Sequence, residues 1–451
     1  MEKIKLLKER KAALEKACEK VRGQIKELFD EDSFVELGAF SFSKSRYFEE
    51  ESDGEGVVTG FATIDGYPFY AVAQNFASSF GGLTKANCEK IAKTLNAAEK
   101  NETPGVWLLH SQGVQIGEGV DVLEGVAELL LKATQLKGTV PQYAVVGGEV
   151  YGAAAAIAAL CDCVFFLKDS ALAITSPLVL SAKSGKNLKK EEVGGYAALK
   201  NAGLPAIEVK DLQEVSATIK QLTEIFGVPV VDAELNETAP ALNEKIDATA
   251  IKSLLEDGVE LGGNTSPEVK TVLGRVGGIA VAAVIFDNVL LNAKNIKKIR
   301  NFAELACCYG LPFVTFVDCA GVEASLAVND SAVLKEIAEY LNILDAIDTA
   351  KIAVVTGKAV GLGYSLFAAK SAGFDYTYAL ASGEVSLFES EKGAEIIYAN
   401  EKNKKKEELI AQYSSEYADP VHAAKGGYLD NVIEPQFIMQ YLIASLQMLM
   451  R

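Results

Sequence analysis

The sequence has few of the residues on which metal and nucleophilic chemistry depend. It contains two histidines, His110 and His422, and its seven cysteines include no Cys-x-x-Cys pair. Because zinc sites draw their ligands from such clusters, we predict no metal site. The sequence also lacks a Gly-x-Ser-x-Gly elbow, a Gly-x-Gly-x-x-Gly fingerprint and a phosphate-binding loop. These absences argue against a serine hydrolase, a dinucleotide-binding domain and a P-loop domain.

Positive charge and long apolar runs are scarce as well. Lysine and arginine number 44 against 61 acidic residues, which gives a net charge of −17. Because nucleic-acid surfaces need clustered positive charge, we predict no nucleic-acid partner. The N-terminal MEKIKLLKERK lacks the apolar core of a signal peptide, and every stretch of membrane-span length has polar interruptions, so we predict a cytoplasmic protein. Two lysine-rich runs, 183–190 and 402–406, could supply anion sites but are more typical of a solvated surface.

What the sequence does contain is an internal repeat. Landmarks of the first half return 208 residues later, with Lys90, Pro104 and Gly113 matched by Lys298, Pro312 and Gly321. The block AVVGGEVYG, which ends at Gly152, returns as AVVTGKAVG, which ends at Gly361. With 451 residues, of which 49% are hydrophobic, the chain can bury two cores. We therefore predict a duplicated domain of roughly two hundred residues, too long a period for a solenoid.

Alternating strand and helix patterns predict an α/β fold. Apolar residues at helical spacing predict an amphipathic helix at 4–28, and Asp65-Gly66 is a hairpin signal within the strands of 57–72. The pattern then alternates between helices at 84–100 and 153–160 and buried strands at 106–109, 143–146 and 164–167. It recurs from about residue 271 to 377, as expected for helices that cover a sheet. We predict an N-terminal domain at 1–234, a linker with one helix at 235–268 and a C-terminal domain at 269–451.

A glycine turn between strand and helix carries the clearest chemistry. At 146–153 (VGGEVYGA) a strand stops and an alanine-rich helix starts. The first amides of a helix are unpaired and partly positive, and small residues there let a substrate oxygen approach the backbone. Two such donors suit an oxygen that gains negative charge, which is an oxyanion hole. The alternative is that Gly152 only allows tight packing of the helix, and the repeat at 361–363 fits both interpretations, because duplication also copies a structural turn.

Several stretches in one order connect the sequence to a known family. They are LFDEDSFVEL (28–37), DGEGVVTG (53–60), TIDG (63–66), FGG (80–82), EEVGG (191–195), EYADP (416–420) and AAKGGYLD (423–430). From about residue 30 to its end, the sequence resembles the carboxyltransferase (beta-type) subunit of biotin-dependent acyl-CoA carboxylases and decarboxylases. The resemblance implies an α/β fold of two tandem crotonase-like domains, each a ββα superhelix. It also implies that the N-terminal domain of one subunit faces the C-terminal domain of another.

The same resemblance implies the site residues. The amides of Gly152 and Ala153 would hold the thioester oxygen of an acyl-CoA while its enolate forms. The amides of Leu362 and Gly363 would hold the ureido oxygen of biotin. Roles in cofactor binding are implied for Phe80, Gly81, Gly82, Ser111, Gly113 and Gly361, the last of which also shapes its turn.

Cofactor and partners follow from the resemblance too. Biotin would be the cofactor and a coenzyme A thioester the substrate. Because the chain lacks an ATP-binding loop and a Met-Lys-Met biotinylation sequence, the biotin would be carried on a separate protein. The implied partners are an acyl-CoA, a biotin carboxyl carrier protein, a biotin carboxylase or membrane decarboxylase subunit, and further copies of this chain in a homo-oligomer, from a dimer to a hexamer.

Two departures from the family pattern keep alternatives open. The chain reads HSQGVQ at 110–115 where the family reads DSGGAR, and FESEKGA at 388–394 where a small-residue MGxxGA segment is usual. Our leading hypothesis is a carboxyltransferase that moves a carboxyl group between a short-chain acyl-CoA and carrier-bound biotin, in either direction. The second is a non-catalytic structural paralogue within a hetero-oligomer. A third is another crotonase-type activity, such as hydration with Glu118 or Glu149 as base, although surface or helix-cap roles also fit both residues.

Overall fold

The computed structural model describes residues 2–41, 56–200, 202–227, 235–323, 332–401 and 403–450. Within it the chain divides into two compact units, Met1–Gln221 and Leu222–Arg451. The domain boundaries predicted from the sequence, 1–234, 235–268 and 269–451, stay a prediction. Residues 53–55 of the DGEGVVTG segment and Lys402 of the second lysine-rich run lie outside the described residues.

The first unit alternates helices and strands along the chain. Its described helices are α1 (Glu2–Ala17), α2 (Glu19–Leu28), α3 (Lys85–Lys100), α4 (Val120–Leu136), α5 (Ala153–Leu160), α6 (Pro177–Ser184), α7 (Lys190–Gly194) and α8 (Leu212–Gly227), which runs across the division between the units. Its described strands are β1 (Val35–Leu37), β2 (Val57–Ile64), β3 (Tyr67–Gln74), β4 (Gly105–Ser111), β5 (Gln142–Tyr151), β6 (Cys163–Leu167), β7 (Ala171–Ala173) and β8 (Ala206–Val209). Among the described residues they form an eight-stranded sheet in the order β1-β2-β3-β4-β5-β6-β8, with β7 paired to β5.

The second unit repeats this plan. Its described helices are α9 (Ala248–Lys252), α10 (Ala293–Cys308), α11 (Ala332–Ala346), α12 (Leu362–Phe367), α13 (Ser390–Ile397), α14 (Lys406–Tyr413), α15 (Pro420–Lys425) and α16 (Ile438–Leu449). Its described strands are β9 (Glu256–Leu261), β10 (Val269–Val276), β11 (Ile279–Phe286), β12 (Val289–Leu291), β13 (Phe313–Val322), β14 (Lys351–Val360), β15 (Tyr376–Leu380), β16 (Glu384–Ser386) and β17 (Asn431–Ile433). In the described part of the chain they form a nine-stranded sheet, β17-β15-β14-β13-β11-β10-β9, with β12 paired to β13 and β16 to β14.

One long strand in each unit leads to the candidate site. The first half of β5 pairs in parallel with β4 and β6, while its last residues, 149–151, pair with β7. In the same way β14 pairs first with β13 and β15, and its residues 358–360 pair with β16. The apolar run of β5 is fully buried at Val145 and Val146, as expected for a strand covered on both faces. Each of these two strands is therefore paired on both sides just before its glycine turn.

The repeat extends to buried polar contacts that the sequence comparison did not address. The Lys90 ammonium donates to the Val57 carbonyl at 2.7 Å, and the Lys298 ammonium donates to the Val269 carbonyl at 2.6 Å. Burial lowers the pKa of Lys298 to about 8, because the charged form is poorly solvated there. Helices α3 and α10 also both begin with a side-chain capping box. The two units therefore share internal detail as well as topology.

Some predicted elements differ from those observed. The helix predicted at 4–28 is two helices with a break at Cys18, and the Asn75 side chain donates to the Ala17 carbonyl at 2.9 Å next to that break. The predicted hairpin is present, with positive φ angles at Asp65 and Gly66. The segment 235–268 contains α9 and β9, and several of its apolar side chains lie in the core of the second unit. Among the described residues, none of the helices has the length and apolar character that crossing a bilayer requires.

Candidate functional site

The first glycine turn joins β5 to α5. Its Gly152 has φ 65° and ψ −132°, a conformation open chiefly to glycine, and α5 begins at Ala153. The Gly152 amide donates inside the protein, to the carbonyl oxygens of Ala173 and Ile174, each 3.2 Å away. The first amides of a helix have no acceptor within that helix. The Ala153 amide, at the first residue of α5, is therefore one of the donors that this turn presents.

The second glycine turn joins β14 to α12 with nearly the same backbone. Gly361 has φ 54° and ψ −122°, and its amide donates to the Ser386 carbonyl at 2.9 Å. The helix begins at Leu362, whose side chain is 43% exposed. The next residue, Gly363, is packed closely, because a Cβ there would lie 2.6 Å from the sulfur of Cys319. The second glycine turn therefore also leads into a helix whose first amides have no acceptor within that helix, while the Gly361 amide is bonded inside the protein.

The two turns match residue by residue in the structure. Gly152 corresponds to Gly361, and Ala153 corresponds to Leu362, because each pair occupies the same place before or at the start of a helix. The predicted pair at the second turn, Leu362 and Gly363, lies one residue further along than the predicted pair at the first. The role of these amides toward a ligand stays a prediction.

Three predicted cofactor-binding residues lie against the loop after β4. Phe80 has φ 55°, a strained conformation for a residue with a side chain, and the residue is 66% exposed. A Cβ at Gly81 would lie 2.0 Å from the His110 carbonyl oxygen, so only glycine fits there. The Gln112 amide donates to the Phe80 carbonyl at 3.0 Å, and Gly82 follows in an extended conformation.

The other two predicted residues of the first unit close that loop. The buried Ser111 hydroxyl lies 3.2 Å from both the amide and the carbonyl oxygen of Gly113. The Cα of Gly113 lies 3.6 Å from where a Cβ of Gly152 would be. The structure therefore brings residues 80–82 and 111–113 together at the first turn.

A cavity of about 350 Å³ adjoins the first turn. Its lining residues include Gln112, Glu149, Tyr151, Lys189 and Lys190. The Gln112 side-chain amide donates to the Glu149 carboxylate at 3.1 Å. Lys189 and Lys190, from the lysine-rich run at 183–190, therefore line a cavity and are not only part of a solvated surface.

A larger cavity, about 480 Å³, contains the second turn itself. Apolar side chains dominate its walls, among them Leu362, Val385 and Leu387. His422 and Tyr428, from α15 and the segment after it, complete one side. In the described residues no group of His, Cys, Asp and Glu side chains is arranged to hold a metal ion.

Comparisons with known proteins assign this architecture to a family. The family model described as the carboxyl transferase domain matches residues 15–451. The chain belongs to the carboxyl transferase family. It is 29% identical to the methylmalonyl-CoA decarboxylase subunit alpha of Veillonella parvula, over 99% of this chain and 96% of the relative. It is 27% identical to the propionyl-CoA carboxylase carboxyltransferase subunit of Haloferax mediterranei, over 95% and 90% of the two chains.

Solved structures support the fold of this carboxyl transferase chain. The transcarboxylase 12S hexamer, solved with methylmalonyl-coenzyme A and methylmalonic acid bound, matches with a TM-score of 0.92 at 24% identity, over 99% of this chain and 96% of that one. The predicted family membership, the predicted carboxyltransferase class and the predicted fold of tandem crotonase-like domains are confirmed by these matches.

The altered family segment at 388–394 pairs its charges internally. The Glu389 carboxylate accepts from the Lys358 ammonium at 2.6 Å, which raises the pKa of that lysine. Ser390 donates to Glu384 at 3.0 Å, and a Cβ at Gly393 would meet the Tyr413 ring at 2.1 Å. The Glu389 carboxylate is therefore neutralised by a lysine of β14.

Two residues considered as bases for hydration lie in different surroundings. Glu118 is buried, and its carboxylate accepts from the Lys85 amide at 2.7 Å, at the first residue of α3. That contact is a helix-capping role. Glu149 lies in the first cavity beside Gln112.

The sequence analysis missed several residues of the two cavities. Tyr151 and Ser176 line the first, and His422 and Tyr428 line the second. A signal for Tyr151 was present, because a strand places every second residue on one face and Tyr151 follows Glu149 at that spacing. The others come from segments that follow each turn at a distance in sequence, which a local pattern does not relate to the turn.

Proposed function

We propose that this chain is a carboxyltransferase subunit that moves a carboxyl group between a short-chain acyl-CoA and biotin carried on a separate protein. The observation that carries the proposal is the duplicated glycine turn, which leads into the start of a helix in each unit and has a cavity near it. The names of the relatives point to propionyl-CoA and methylmalonyl-CoA as substrate types. The first turn would serve the thioester and the second would serve biotin.

At the first turn the Ala153 amide would hold the thioester oxygen. In the decarboxylating direction, the bond between the α-carbon and the carboxylate breaks, and its electron pair moves into the thioester, whose oxygen gains negative charge. A fixed N–H at a helix N-terminus stabilises that charge without reorganising during the reaction. Biotin, when bound, would supply the ureido nitrogen that gives up a proton to the α-carbon and accepts the carboxyl group. Because Gly152 donates elsewhere in this structure, we assign Ala153 the larger share of the predicted pair.

The second cavity fits biotin in size and chemistry. Its apolar walls suit the thioether ring of biotin. The amides of Leu362 and Gly363, at the start of α12, are the predicted donors to the ureido oxygen. Bound biotin would supply the ureido nitrogen that takes up or releases the carboxyl group. Gly361 has the positive φ that lets the chain turn just before these two residues.

The proposal includes partners. A biotin carboxyl carrier protein would deliver the biotin, and a biotin carboxylase or a membrane decarboxylase subunit would complete the cycle. We also propose a homo-oligomer, in which the first turn of one subunit works with the second turn of another. The transcarboxylase 12S structure, described as a hexamer assembly, supports the oligomer by similarity.

Decarboxylation with free biotin tests the proposed function. The purified chain is mixed with biotin and malonyl-, methylmalonyl- or glutaconyl-CoA, and the thioesters are separated by chromatography. We expect biotin-dependent formation of acetyl-, propionyl- or crotonyl-CoA. Absence of turnover together with absence of acyl-CoA binding would refute the proposal. Activity of the homo-oligomer alone would exclude the alternative, a non-catalytic structural paralogue, whereas copurification with a second carboxyltransferase chain carrying DSGGAR would favour it.

A further inference from the structure

Helix α1 carries an apolar face that its own chain leaves exposed. The helix has 16 residues, and among its side chains only Leu14 is buried. Ile4 and Leu7 are 61% and 44% exposed. Isolated helices of up to about 15 residues are marginal in water, and most of the stability of a protein helix comes from packing of its apolar face. A packing partner for α1 is therefore expected.

The exposed face continues a stripe that α2 buries in the core. Leu7, Leu14, Val21 and Leu28 follow one another at steps of seven residues, and the last three are buried. The hydrogen bonding of a helix runs across the break between α1 and α2, where the Cys18 amide donates to the Leu14 carbonyl at 3.1 Å. Because this bond ties α1 to the packed α2, the exposed Leu7 is held where a second molecule can cover it.

Charge indicates what kind of surface fits α1. The helix contains six basic and three acidic residues, a net charge of +3, within a chain of net charge −17. Residues three and four apart lie on one side of a helix, so Lys8 and Lys11 share the face of Ile4 and Leu7. Glu9 lies on the opposite side. The surface that α1 fits is therefore apolar with acidic residues along it.

Helix α4 of the same chain has such a surface. Its buried side packs in the core of the first unit. On its other side Val120, Leu123 and Leu131 are each more than half exposed, and their spacing places them on one face. Glu124 and Glu128 are exposed along this face and form no ion pair among the described residues. We call these two residues the acidic edge of α4.

The equivalent helix of the second unit, α11, fits α1 less well. It follows β13 as α4 follows β4, and it exposes Leu334 and Leu341. Its acidic residues are engaged within the chain, however, because Arg300 pairs with Glu336 and Glu339 at 2.9 and 3.4 Å. The charge that would attract α1 is therefore present on α4 and neutralised on α11.

We propose that α1 of one molecule packs on the exposed face of α4 of a second copy of this chain. Ile4 and Leu7 would pack on the apolar residues of that face, and the two lysines beside them would pair with its acidic edge. Both faces are exposed within one molecule, so the chain itself supplies the complementary surface. Around a two-fold axis each copy would give one α1 and receive another, so the contact would form twice. This interface goes beyond the proposed function, which involves neither helix.

Charge reversal tests the contact between the two helices. Sedimentation at low salt measures self-association of the full-length protein and of three variants: Lys8→Glu/Lys11→Glu, Glu124→Lys/Glu128→Lys, and all four substitutions together. We expect each double variant to associate at least about tenfold more weakly, because like charges would face each other in both copies of the contact. The variant with all four substitutions should associate as the native protein does, because it restores the pairs with reversed sign.

A control and a second readout keep the test specific. Lys5→Glu/Lys16→Glu changes the charge of α1 by the same amount on another side of the helix and should leave association unchanged. Because all the substituted side chains are exposed, every variant should unfold at the native urea concentration. Packing slows hydrogen exchange, so the α1 amides should exchange faster in both double variants than in the native protein.

Three results would overturn the inference. They are native association and native α1 exchange in either double variant, a native protein that is monomeric, and a weakening that the four substitutions together do not reverse. The last result would indicate that a different protein covers α1. These results do not depend on catalysis. Biotin-dependent turnover without association through α1 would leave the proposed function standing, whereas restored association without turnover would count against the proposed function alone.

Discussion

Replacing Ala153 with proline would remove one amide and little else. Ala153 is the first residue of α5, where a helix has no intrahelical use for its N–H and where proline is well tolerated. Proline also disfavours the α conformation in the residue before it, but Gly152 lies outside that conformation, with φ 65° and ψ −132°. The substitution should therefore delete the donor to the thioester oxygen and preserve the fold.

The structure indicates that this loss is large. Loss of one oxyanion donor typically lowers the rate by about 10²–10³-fold, or about 2.7–4 kcal/mol of transition-state stabilisation. The neighbouring Gly152 amide can substitute only by giving up two carbonyl contacts at 3.2 Å each. We therefore expect Ala153→Pro to lose about 10²-fold or more in biotin-dependent decarboxylation, while its free energy of unfolding changes by about 1 kcal/mol or less.

The assay compares Ala153→Pro with Ala153→Gly. The glycine variant removes the side chain but keeps the amide, so its rate should stay within a few-fold of the native rate. Turnover of methylmalonyl-CoA with biotin gives the rate, and urea unfolding gives the stability. A proline variant that unfolds normally and turns over at the native rate would refute the assignment of this amide.

Three further outcomes are expected. Leu362→Pro should lose biotin-dependent turnover in the same way but keep acyl-CoA affinity, and loss of that affinity instead would contradict the separate assignment of the two turns. Glu118→Gln should lower the free energy of unfolding by about 1 kcal/mol, because its carboxylate caps the Lys85 amide, and should leave turnover intact; lost turnover with unchanged stability would contradict this capping role. The free energy of unfolding of the native protein, compared with that of Lys298→Met, should rise as pH increases from about 8 toward 10.5. The reason is that Lys298 of the unfolded chain still binds a proton in this range, whereas the buried lysine has released it. Urea titrations in which the difference between the two proteins stays constant over that range would contradict the lowered pKa.

The fold was largely predictable from sequence, because its main signals are local. Apolar runs such as 143–146 mark buried strands, and alanine-rich segments mark the helices between them. The break in the predicted helix 4–28 was not predictable. It coincides with a contact from the Asn75 side chain, which reaches the Ala17 carbonyl from 58 residues away. Long-range contacts of this kind leave no periodic trace in the sequence.

The cavities were less predictable than the turns for the same reason. Tyr151 comes beside Lys189 and Lys190 because β5 pairs with β7, and the chain then returns through α6 and α7. The lysine-rich run was visible in the sequence, but its charge alone favoured a solvated surface. Likewise, the acidic segment at 388–394 suggested charge beside the second turn, whereas Glu389 pairs with Lys358.

The divergence of the two turns is compatible with a shared chemistry, because the groups at issue belong to the backbone. Gly152 and Gly361 are fixed by φ angles of 65° and 54°, which exclude most other residues. The next residue differs, Ala153 in one unit and Leu362 in the other, and the leucine side chain is 43% exposed. A side chain that points away from the packed interior can vary while its amide stays at the helix start. Replacement of the small residues after a glycine turn is therefore weak evidence against an oxyanion hole there. Replacement of Gly152 or Gly361 would be strong evidence against one.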